Sequence, residues 1–134
     1  MSILAEAPLG GIVGEINGNS YPMVLRIAEI ERFEKHHDFG VFGLFDQLLD
    51  RGGSVKLTYC RDIVALSLIG GGLTERAADQ VLADCPTHAA LALRGLAQEL
   101  LLAAFVPPDA AKKKEEPDGS SRLTDETDTT PENT

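Results

Sequence analysis

The sequence predicts an α+β fold that is mostly α: an N-terminal β-hairpin, then about five helices, then an acidic C-terminal tail without packed structure. Three observations predict it. Two short runs of alternating character, Gly11–Ile16 and Ser20–Arg26, flank Asn17-Gly18-Asn19, and Asn-Gly between such runs suits the positive φ angles of a type I′ turn. From Ile27 to Phe105 apolar residues recur every three or four positions, the period of one face of a helix. Beyond Pro107-Pro108, Leu123 is the one large aliphatic residue among Lys, Glu, Asp, Ser, Thr and Pro, too little to offset the entropy of ordering. The expected organisation is a leader over 1–8, a hairpin plus helical domain over 9–106 and a polar tail over 107–134.

The hairpin strands come first. Gly10, Gly11 and Gly14 are expected to keep the first strand pliable, and glycine inside a strand favours an edge. Pro22 confines one side of the second strand to an edge, because it lacks a ladder donor. A lone hairpin is marginal in water, so it packs on the helices or on another protein. Its edges are either blunted or used for strand addition by a partner. Tyr21, Met23 and Leu25 share one face, after which the period changes to a helical one through Ile27, Ile30 and Phe33 without an intervening Gly or Pro. The passage from Ser20 to Glu34 is therefore expected to organise the rest.

The first helix is expected over about Ile27–His37, with Glu29, Arg32 and His36 on the wet side and the His36-His37 pair favourable near its C-terminal dipole. Asp38 is expected to cap a second helix, about Phe39–Leu49, which holds three of the five Phe. Its apolar residues spread over more than one face, so it is either central to the core or partly a docking surface. Asp50-Arg-Gly-Gly53 ends it. A third helix follows over about Leu57–Ile69, then Gly70-Gly71-Gly72, for which a flexible joint is expected: no Lys-Ser/Thr follows to make a phosphate loop. Thr74 caps a short helix to about Asp84. The last helix runs from about Thr87 to Phe105 with a broad Leu/Ala stripe, inside which Gly95 is expected to mark a close helix crossing.

Composition narrows the function. The net charge is −9, with 13 acidic against 8 basic residues through Val106 and 8 against 4 beyond it. The eight basic residues before Val106 stand singly among carboxylates, so the body offers no phosphate-neutralising patch and nucleic-acid binding is not expected. Residues 1–8 carry Glu6 and no Lys or Arg, unlike a secretory signal. The run Leu100–Val106 is far below the ~20 residues that span a bilayer, so a soluble intracellular protein with no membrane partner is expected. Cys60 and Cys85 are the two cysteines, expected as reduced thiols; no zinc-ligand spacing accompanies them. No nucleophile elbow, His-x-x-x-His or Cys-x-x-Cys occurs, so neither enzyme activity nor a cofactor is expected. The residues expected to meet a protein partner are Ile12, Tyr21 and Met23 on the hairpin, Phe39, Phe42 and Phe45 in the second helix, and Leu93 and Leu100 in the last.

The order and wording of the elements carry a resemblance. Gly14-Glu-Ile-Asn-Gly18, the strand from Tyr21 to Leu25, Ile27-Ala-Glu-Ile-Glu31 and Ile69-Gly-Gly-Gly-Leu-Thr74 resemble the small tail proteins of gene transfer agents and phages, over about Gly11 to Phe105. Members of that family are known as tail tube proteins or as tail assembly chaperones. The resemblance implies a chaperone that binds the tape-measure protein and helps recruit tail tube subunits in the cytoplasm of the bacterial host cell, and that is absent from the mature particle. It offers no catalytic residues to carry over and leaves homo-oligomer formation open. The alternatives are a structural tube or minor tail protein, and a small helical adaptor unrelated to phage. The sequence departs from the family in its long polar tail, where Lys112–Lys114 reads either as a solvated linker or as the trace of a slippage site for a frameshifted extension.

Overall fold

The computed structural model describes residues 6–50 and 54–107. The expectations for the start of the leader, for the glycines after Asp50, for the tail and for Lys112–Lys114 lie outside the described residues. Two strands, β1 (Ile12–Ile16) and β2 (Asn19–Met23), precede five helices: α1 (Ile27–His37), α2 (Val41–Leu49), α3 (Leu57–Gly70), α4 (Glu75–Ala83) and α5 (Ala90–Phe105), the last entered through a single 3-10 turn at Thr87–Ala89. The α+β, mostly α reading stands.

The strands pair antiparallel in the register Ile12↔Met23 through Ile16↔Asn19. Asn17 and Gly18, at φ 54° and 81°, supply the two positive values that a type I′ turn needs. Because the pair closing a two-residue turn is hydrogen-bonded and the ladder alternates, Pro22 falls at a non-bonded position, where its missing N–H costs the sheet nothing.

α3 is the hub. It packs against α1, α4, α5 and β2, and it is buried without a break from Ile63 to Leu68. A helix apolar on all sides belongs inside a core. Around it Met23, Phe33, Leu44, Leu100 and Leu101 are almost wholly buried, each worth ~1.5–3 kcal/mol relative to exposure.

Several local expectations change. Glu29 is buried, not wet: its carboxylate accepts the Arg26 backbone N–H at 2.9 Å and the Arg26 guanidinium at 2.9 and 2.6 Å. It thereby satisfies a donor that the helix start leaves orphaned. Ile27, by contrast, is 71% exposed. Asp38 closes α1 in the left-handed region instead of opening α2, whose first turn is met by Glu34 accepting the Val41 N–H at 2.8 Å.

The glycine triplet is a tight seat, not a flexible joint. A Cβ on Gly70 would lie 2.1 Å from the Val24 carbonyl oxygen, and one on Gly71 1.9 Å from that of Pro22. Glycine lets the end of α3 touch the outer edge of β2, where the Val24 N–H donates to the Ser67 carbonyl at 3.1 Å. Gly14 is likewise packed, against Met23 and Leu96. Gly95 faces open space and marks no helix crossing.

Candidate functional site

Three features of the closed fold offer something to a partner. The first is an apolar face shared by α2 and α5. Residues three, four and seven apart share one side of a helix, which aligns Phe42, Phe45 and Leu49 along α2 and Leu102 with Phe105 along α5. The Phe42 and Phe105 rings lie 5.3 Å apart, and those of Phe45 and Phe105 5.4 Å apart. Phe42 is 69% exposed, with Leu49 and Leu102 also open to solvent. On the same α2 helix the Gln47 side-chain carbonyl oxygen is buried with no hydrogen-bond partner among the described residues. A buried polar atom left so is a cost.

The second is a strand edge. The β2 edge is covered by the end of α3, so the expectation of two open edges is halved. By ladder alternation Val13 and Glu15 direct their N–H and C=O groups away from β2, and both residues are exposed. No described residue bonds to that side of β1.

The third is a cleft of about 500 Å³ between α1, α3 and α4. Phe33, Ala65, Leu66 and Ile69 supply its apolar lining, and Arg32, Lys35, Glu75 and Asp79 are among its charged groups. Arg32 pairs with Glu75 across it. At one end His37 Nε2 lies 2.6 Å from Asp62 Oδ2, and the His37 ring packs on Phe33 and Tyr59. His37 is thus a tie between α1 and α3, beyond the dipole role expected of it. His36, exposed, stands edge-on to His37 at 4.7 Å. One ligand atom from each of His36, His37 and Asp62 falls within 4.8 Å of the others, the one grouping of this kind among the described residues.

The eight residues expected to meet a partner are not brought to one surface. Phe42 alone is fully open. Ile12, Tyr21, Phe39 and Phe45 are partly buried against the core, Phe39 stacked on Tyr59 at 5.0 Å. Met23, Leu93 and Leu100 belong to the core itself, so they hold the outer faces in place from behind and do not form them. Leu49, Leu102 and Phe105 were missed. The signal for Leu49 was its seven-residue spacing from Phe42; nothing local distinguished Leu102 from its buried neighbours Leu100 and Leu101.

Both cysteines are free thiols. Burial pushes the Cys60 thiol up, which keeps it protonated and unreactive. No described helix is long and apolar enough to cross a membrane.

Residues 10–106 match the family described as "Phage tail tube protein, GTA-gp10". The chain belongs to this family. The match covers the hairpin and all five helices, and it bears out the family resemblance over about Gly11 to Phe105. The protein is therefore related to the tail tube of phages and gene transfer agents, a structural family not typically enzymatic. No curated protein and no solved structure matches the chain.

Proposed function

We propose that this member of the tail tube family is an assembly chaperone, one that shields a helical segment of the tape-measure protein and hands it to tail tube subunits. The observation that carries the reading is the open α2–α5 face around Phe42, Leu49 and Leu102. Two helices in contact, with the Phe42, Phe45 and Phe105 rings meeting between them, present an apolar surface that suits the apolar face of an amphipathic helix. Asp46 and Glu99 are exposed on the same two helices, which favours a partner helix with basic flanks. Such a protein acts in the host cytoplasm and leaves before the particle is finished.

A structural role in the tube is the second reading, favoured by the family's own description. Against it stands the small sheet, two strands among the described residues.

The experiment is co-expression with the tape-measure protein of the same particle. The chaperone reading expects that protein to move into the soluble fraction together with this chain, and Phe42→Asp to abolish the effect while leaving this chain folded by circular dichroism. Equal insolubility with and without the chain would overturn it. Mass spectrometry of purified particles separates the two readings: stoichiometric copies would establish the tube subunit, traces or none the chaperone.

A further inference from the structure

We propose that His36, His37 and Asp62 form a binding site for one divalent transition-metal ion, with zinc the ion that their donors suit best. Two imidazoles and a carboxylate are a borderline nitrogen and oxygen set, the kind zinc takes at about 2.0–2.2 Å in tetrahedral sites that keep a fourth position for water. At those bond lengths neighbouring donors stand roughly 3.3 Å apart. The three donor atoms here span distances from 2.6 Å, between His37 and Asp62, up to the 4.8 Å limit of the group. A small parting of one pair and a swing of the His36 ring bring all three to coordinating distance.

His36 has the freedom for that swing. It is exposed on the last turn of α1, two residues before the left-handed residue Asp38 that ends the helix, and no hydrogen bond from its ring is found among the described residues. His37 is fixed by its packing on Phe33 and Tyr59. Coordination through Nε2 moves its proton to Nδ1, because a ligating nitrogen must be unprotonated. Arg61 Nη1, 3.5 Å from Asp62 Oδ1, holds the carboxylate from its far side, as partners of metal-binding carboxylates do. In the cleft that the site opens into, the carboxylates Asp62, Glu75 and Asp79 are matched by Arg61, Arg32 and Lys35, so no net positive charge stands against an entering cation.

A purely structural His37–Asp62 tie has no use for His36, and that difference is the test. The full-length, untagged chain is titrated with zinc chloride by calorimetry and with cobalt(II) followed by visible absorption. The expected result is one ion per chain, weakened at least about tenfold in His36→Ala, whose melting temperature without metal equals that of the parent. His88→Ala and Cys85→Ser are expected to bind as the parent does. Absence of saturable binding overturns the proposal, as does affinity unchanged by His36→Ala or lost in either control variant.

Discussion

Glu29 is the residue where charge, helix start and core meet. The Arg26 hydrogen bonds hold its carboxyl below the usual carboxylate range, against the opposing effect of burial. A carboxyl whose folded pKa is depressed contributes stability that is fully present above its unfolded value, about 4.3, and that is lost as pH falls through the lower folded value. Glu29→Gln is therefore expected to unfold more easily at neutral pH, and to lose its disadvantage as acid protonates the parent; urea midpoints measured between pH 7 and pH 3 check this. The Arg26 side chain is 62% exposed, so salt screens part of the effect. Two glycines make a sharper pair. Gly71→Ala forces a side chain onto the Pro22 carbonyl and is expected to cost at least about 2 kcal/mol. Gly95→Ala fills open space inside a helix and is expected to add about 1 kcal/mol. Thermal melts of the two variants should move in opposite directions.

At the scale of the elements, local signals told the most. Asn17-Gly18 announced its turn because only a few residues tolerate two successive positive φ values, and the three- and four-residue spacings located all five helices to within a few residues. What local pattern could not tell was which element sits in the middle. The Ser20–Glu34 passage carries the visible change of period, yet α3 is the hub, and its burial on every side erases the periodicity that would have announced it. Glu29 looked like a solvated residue for a related reason, since the Arg26 that neutralises it reaches back from outside the helix. The candidate site was legible only at Phe42 and Phe45. Whether Phe39, Leu93 or Leu102 faces outward depends on where Tyr59 and the neighbouring helices lie, which no spacing within one helix records. The α2–α5 face also makes an expectation of its own. Phe42→Ala removes a ring that is mostly in water, so its stability is expected within about 0.5 kcal/mol of the parent, checked by urea denaturation, while capture of the tape-measure segment falls.

The molecule as a whole is a hairpin locked to the end of a buried helix. The bond from the Val24 N–H to the Ser67 carbonyl joins strand to helix at the point where no side chain intervenes. Neither can shift along the other without opening both, so the first third of the chain and its middle breathe together. Deuterium labelling of the native protein is expected to place the Val24 amide among the slowest to exchange, alongside those of Ile63–Leu68. The outward amides of Val13 and Glu15, one strand away, should label at once. A binder seated on that rim would silence these two protons and leave the Val24 clock untouched.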